Sequence, residues 1–124
     1  MVKNFTANKQ IGKMGENLAE IYLKNSGFTI LERNYRYSKY AEIDIIALKD
    51  NTVHFIEVKT RNKTYFGTPL EAINKKKLTS IFRCASYYLQ QTKTKYDKFQ
   101  IDALGILFSD NKNPEYMFVE NISL

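Results

Sequence analysis

Three residues with chemical potential lie close together in the chain: Asp44, Glu57 and Lys59. Two carboxylates set side by side suit a hard divalent cation held through oxygen, such as Mg²⁺ or Mn²⁺. Lys59 is two residues beyond Glu57, so on a strand it points to the same face and reaches the same site. Such a group would serve metal-dependent phosphate chemistry. Glu-x-Lys by itself carries little weight, since about one such triplet arises by chance in a chain this rich in Glu and Lys. The weight comes from an acid on the preceding segment, in register with Glu57.

That register follows from the elements around it. Glu42 to Leu48 and Thr52 to Thr60 read as strands joined by Asp50-Asn51, two residues that tolerate the positive φ of a tight hairpin loop. Residues facing each other then have numbers that sum to 101, which sets Asp44 opposite Glu57 and Glu42 opposite Lys59. One face carries Ile46 and Leu48 beside Asp44 and Glu42. The other carries Ile43, Ile45, Ala47, Ile56 and Val58, with His54 among them. A slip of one residue would spoil both faces. Paired carboxylates repel unless a cation intervenes, although Glu42 and Lys59 also make sense as a plain cross-strand ion pair.

The remaining elements follow from periodicity. Ile11, Met14, Leu18, Ile21 and Tyr22 recur at helical spacing in a helix from about Asn8 to Asn25, stopped by Gly27. Gly12 and Gly15 inside it each cost about 1 kcal/mol relative to Ala, which implies a close backbone approach by another element. Phe28 to Arg36 reads as a strand. Thr68-Pro69-Leu70-Glu71 reads as a capping box. It opens a helix to about Gln91, broken near Asn74, with Leu78, Ile81, Phe82, Ala85, Tyr88 and Leu89 inward. Phe99 to Phe108 and Tyr116 to Val119 complete an α-β-β-β-α-β-β order, which implies an α/β fold with a mixed sheet flanked by helices. The 124 residues make one domain, 1–124, with residues 1–7 expected to be flexible.

Composition narrows the function. The only cysteine is Cys84, so neither an intrachain disulfide nor a cysteine zinc site can form. The only histidine is His54, with no partners in view for a triad or multi-histidine metal site; both residues read as buried filler. No apolar run approaches the ~18 residues of a membrane span, and the polar, basic start lacks a secretory pattern, so the expected compartment is the cytoplasm, without a membrane partner. The net charge is +6. Between Val58 and Tyr96 nine basic residues face the single acid Glu71, which leaves +8 there and −2 over the rest. A polyanion such as nucleic acid is the natural partner, because lysines on phosphates release condensed counterions. A lysine-rich solvated surface is the simpler alternative.

Taken together, these residues resemble the PD-(D/E)xK nuclease superfamily, whose signature is Asp44 followed by Glu57-Val58-Lys59, without the Pro of its name. The chain is more specifically similar to the YraN family of small bacterial proteins, described as endonucleases by inference and related to archaeal Holliday-junction resolvases. The matching pieces are Gly12-x-x-Gly15-Glu16-x-x-Ala19, Arg33-Asn34-x-Arg36, Glu42-Ile43-Asp44, Phe55-Ile56-Glu57-Val58-Lys59-x-Arg61, Phe66-Gly67 and Ile101-Asp102. Ala41 replaces the usual Gly before Glu42. Gln100-Ile101 replaces a common Arg-Phe, which weakens an expected phosphate contact.

The resemblance implies a restriction-endonuclease-like αβββαβ core and a Mg²⁺- or Mn²⁺-dependent endonuclease acting on DNA, with branched or recombining DNA among its substrates. Asp44, Glu57 and the carbonyl of Val58 would hold the metal. Lys59 would orient or activate the attacking water, and in-line attack would leave a 5′-phosphate. Glu16 would hold a water at the ion or orient Lys59. Glu42 takes a supporting role, and Asp102 is an acid behind the site or a structural one. Arg33, Arg36, Arg61, Lys75, Lys76 and Lys77 are candidates for phosphate contacts. The three lysines oppose the dipole of the helix they begin. Tyr65 and Phe66 could stack on a base or simply pack. Resolvase-like relatives cut twice, which implies a homodimer. Three other readings remain open: a non-catalytic nucleic-acid-binding module, an RNA nuclease, and an interaction protein whose basic face meets an acidic partner.

Overall fold

A computed structural model describes residues 2–39, 41–62, 69–93, 95–109 and 112–122, with side chains from Gln10 onward except at positions 11, 69, 70 and 112. The chain runs through α1 (Val2–Asn25), β1 (Thr29–Ser38), β2 (Ala41–Lys49), β3 (Thr52–Asn62), a 3-10 turn (Pro69–Ala72), α2 (Lys75–Thr92), β4 (Lys98–Ser109) and β5 (Lys112–Val119). The five strands form one sheet in the order β1-β2-β3-β4-β5. All neighbours are antiparallel except β3 and β4, which are parallel and joined by the crossover through α2. This is the α/β mixed sheet flanked by helices that the pattern implies, and it is consistent with a restriction-endonuclease-like fold. Among the described residues, no helix is long and apolar enough to cross a membrane.

Two apolar layers sandwich the sheet. On one face Ala19 and Leu23 of α1 pack with Phe28, Ile45, Ala47, Ile56, Leu104 and Ile106. On the other, Ile81, Cys84, Ala85 and Tyr88 of α2 pack with Ile43, Ile46, Val53, Phe55 and Ile101. Cys84 is buried filler, as its type suggests.

The buried side of α1 differs from the apolar stripe. Met14 and Ile21 are exposed, while Gly15, Ala19 and Leu23, at strict i, i+4 spacing, face the sheet. The reason is distance. A Cβ on Gly15 would lie 2.0 Å from Thr60 Cγ2, so small residues let α1 sit directly on β3. Gly12 has open space around it and no such role. The helix begins at Val2 rather than near Asn8. Gly27 ends it as expected, at φ 94°, with the Phe28 N–H reaching back to the Leu23 carbonyl at 2.9 Å.

In α2 the break near Asn74 is the true start of the helix. Asn74 is the N-cap, its side chain accepting from the Lys77 N–H at 2.8 Å. The preceding 3-10 turn holds Glu71, whereas Thr68, like Tyr65, Phe66 and Gly67, lies outside the described residues. Phe82 is exposed rather than inward and packs its ring near that of Phe99.

Candidate functional site

The β2–β3 hairpin closes through Asp50 and Asn51, both at positive φ (51° and 60°), the signature of a type I′ turn. The register is the expected one, from Lys49–Thr52 to Ile45–Ile56. In that phase the next hydrogen-bonded pair would be Ile43 with Val58. Instead the Asp44 carboxylate takes the Val58 N–H, with Oδ2 2.7 Å from the nitrogen.

The alternation of side chains breaks at the same place. Ile45 and Ala47 face α1, yet Ile43 and Ala41 face α2. The expectation that Ile43 and Ile45 share a face is therefore corrected. On β1, Arg33 turns toward α1 while Tyr35 packs against Tyr88 of α2. Between them Asn34 adopts φ 52°, a left-handed conformation that Asn tolerates better than most residues. Asn34 and Asp44 thus mark one shared kink in two adjacent strands, and it aims Asp44 along the sheet toward β3.

Glu57 meets it there. Glu57 is 5% exposed and stands close enough to the Asp44 carboxyl to act on it. Burial is the first cause that pushes the Asp44 carboxyl up to about 8, followed by the hydrogen bond to Glu57 and the charge of Glu57. The Val58 N–H and the Lys59 ammonium pull the other way without offsetting it. At neutral pH the Asp44 carboxyl therefore keeps a proton that an exposed carboxylate would have lost.

A third group arrives from α2. Lys77 Nζ stands 3.3 Å from Glu57 Oε2. The contact is one of charge only, because its angles fall outside hydrogen-bonding geometry and Oε2 is buried without a hydrogen bond. A buried oxygen in that condition calls for a cation. The donor set is two carboxylates and the Val58 carbonyl, which in this phase points to the same side as the Val58 N–H. All are hard oxygens and fit Mg²⁺ or Mn²⁺.

The sequence candidates fall into separate places. Asp44, Glu57, Val58 and Lys59 come together, with Lys77 beside them. Glu42 does not pair with Lys59; it lies across the ladder from Arg36 and takes its guanidinium at 2.7 Å. Glu16 pairs with Arg33 Nη2 at 3.5 Å. Arg33 also donates to Asn17 at 2.9 Å, so this arginine ties α1 to β1. Arg61 donates to the Thr60 carbonyl. Lys75 and Lys76 are exposed at the start of α2.

Asp102 lies on the α1 side of the sheet, fully buried, in a second polar cluster. His54 Nδ1 is 2.6 Å from its Oδ2, while Gln100 Nε2 and the Asn121 N–H each reach Oδ1 at 2.8 Å. Glu120 is close enough for His54, Asp102 and Glu120 to offer a cation three ligand atoms. Both Asp102 oxygens are already hydrogen-bonded, however, so this cluster is a knot joining β3, β4 and the segment after β5. His54 is thus more than filler. The sequence could not show it, because only the parallel pairing of β3 with β4 brings residues 54 and 102 together.

Comparison with known proteins places the chain among relatives of the same size. Residues 15–106 match the model of a family described as uncharacterised protein family UPF0102. A UPF0102 protein of Alkaliphilus oremlandii is 48% identical over 94 residues, covering 76% of this chain and 80% of the relative. One of Dictyoglomus thermophilum is 44% identical over 102 residues, covering 82% and 86%. One of Clostridium botulinum, strain Loch Maree, is 42% identical over 117 residues, covering 92% and 94%.

Proposed function

The chain belongs to the UPF0102 family, that of the YraN proteins, and from this premise we propose that it is a metal-dependent endonuclease acting on DNA. One observation carries the reading: the partly buried Asp44 carboxyl set against the buried Glu57, with Lys59 acting electrostatically on Asp44. Two acids this close, one of them buried and both near lysines, are costly to keep for structure alone.

Asp44, Glu57 and the Val58 carbonyl would hold Mg²⁺ or Mn²⁺, which when bound stabilises negative charge developing on phosphate. Asp44 is oriented for this by the Val58 N–H, which fixes one carboxylate oxygen. Lys59, two residues along the same strand, orients the attacking water and offsets charge on the phosphate. The exposed Lys75 and Lys76 line the approach of a polyanion. A homodimer carrying two such sites would suit a substrate cut on both strands.

The test is cleavage of linear, single-stranded, flapped and four-way DNA, and of RNA, with Mg²⁺ or Mn²⁺. Asp44→Ala, Glu57→Ala and Lys59→Ala run beside the unaltered protein. Metal-dependent cutting of DNA that all three variants lose supports the proposal. Cutting confined to RNA replaces the substrate. Cutting that survives in the variants sinks the site. Salt-sensitive binding without cutting leaves a non-catalytic module.

A further inference from the structure

We propose that Lys77 is the site's internal counter-ion: its ammonium holds the Glu57 carboxylate before the metal arrives, competes with the metal for it, and is released toward the phosphate when the metal binds. The inference rests on the metal-site reading above and assigns Lys77 a role beyond a general phosphate contact.

The argument starts from Glu57 Oε2. It is buried, has no hydrogen bond, and has Lys77 Nζ 3.3 Å away. A buried carboxylate with a neighbouring carboxyl and no cation is strongly disfavoured. Lys77 supplies that cation, and it comes from solvent: its side chain is 41% exposed while that of Glu57 is 5% exposed. A lysine so placed can swing away at little cost, since its long stem is flexible and its head is readily rehydrated. The contact geometry fits a temporary tenant, one of charge without a directed hydrogen bond.

The backbone around Lys77 is fixed, and its head reaches Glu57 on a flexible stem. The Lys77 N–H is capped by Asn74 Oδ1 at 2.8 Å, which anchors the first turn of α2. That turn contains no acidic residue. The positive end of the helix therefore carries no acid of its own to compete with Glu57 for the ammonium. The same features make this end of α2 a receiver for phosphate once Glu57 no longer needs the ammonium. Two positive charges, metal and ammonium, cannot both sit on one carboxylate oxygen without repulsion, so occupancy by one weakens the other.

The experiment is Mn²⁺ binding by calorimetry on the full chain at low salt, without nucleic acid. It compares the unaltered protein with Lys77→Met, Lys77→Arg and Glu57→Gln, and records metal-free melting of each. Lys77→Met should bind Mn²⁺ about tenfold more tightly, because one competing charge is gone. It should also melt lower without metal and recover when Mn²⁺ is added. Lys77→Arg, which keeps the charge, should bind as the unaltered protein does. Equal affinity in Lys77→Met and the unaltered protein, with binding lost in Glu57→Gln, overturns the counter-ion role and leaves the metal site standing. Mn²⁺ binding that is untouched by Glu57→Gln, or absent from the unaltered protein, overturns both.

Discussion

Asn34, in the left-handed region at φ 52°, sits across from Asp44 between the ladder pairs Arg33–Ile45 and Tyr35–Ile43. The two residues break the alternation of β1 and β2 at one level. Without that break, Asp44 would project from a sheet face instead of reaching the Val58 N–H. Asn34→Gly should therefore be tolerated. Asn34→Val should cost about 1–2 kcal/mol, since a β-branched residue is strained there. It should also lower cleavage by turning Asp44. Chemical denaturation and a cleavage assay check the two effects.

Asp44 carries a pH signature. Its carboxyl is raised to about 8 when folded, against an ordinary carboxylate value when unfolded. The folded protein therefore binds the extra proton. The stability it contributes is fully present below the unfolded value, near 4, and is lost as pH rises through about 8. Melting in a chelator should fall across that window, and Asp44→Asn should flatten the fall. Affinity for Mg²⁺ should rise over the same range, because the ion must displace the proton.

Gly15 and Gly12 form a matched pair. Gly15→Ala should destabilise by about 1–3 kcal/mol, because its Cβ meets Thr60 Cγ2. Thr60→Ala in the same chain should recover most of the loss. Gly12→Ala meets nothing and should be neutral or stabilising by up to about 1 kcal/mol. Urea titration of these three variants beside the unaltered protein decides it.

Asp102 separates structure from chemistry. Asp102→Ala leaves the Asn121 N–H, Gln100 Nε2 and His54 Nδ1 without their acceptor. It should cost about 3 kcal/mol. The variant, where folded, should bind Mn²⁺ as the unaltered protein does, because the cluster lies on the opposite side of the sheet from Glu57. Calorimetry below the melting range measures it.

The hairpin was the most legible part of the chain. Asp50-Asn51 announces its turn, and the apolar pattern of β2 and β3 admits one register, so the placement of Asp44 at the level of Glu57 follows from local information. The facing of Ile43 does not, because the kink depends on φ at Asn34, and an Asn in a strand motif does not declare that angle. The stripe of α1 misled for a different reason. Met14 and Ile21 are apolar but large, and a helix lying against Thr60 must present Gly15 and Ala19 instead. Glu16 and Glu42 carried no sign of their partners: Arg33 and Arg36 reach them only after β1 pairs with β2 and α1 docks. Lys77 read as one of three like lysines, and only the start of α2 at Lys75 turns it toward Glu57.

The parallel pairing of β3 with β4 sets an order of assembly. The β2–β3 hairpin closes over two residues, on the scale of microseconds. Thr52 and Lys98 must find each other across 46 positions, over the crossover that carries α2. Asp44 and Glu57 therefore meet early in folding, while Lys77 arrives only with the slow crossover. In the interval the acids stand together without a cation, and a divalent ion in solution can reach them before the lysine does. Added Mg²⁺ should then speed refolding as well as raise the final stability, a kinetic imprint of the site on the path by which the chain forms.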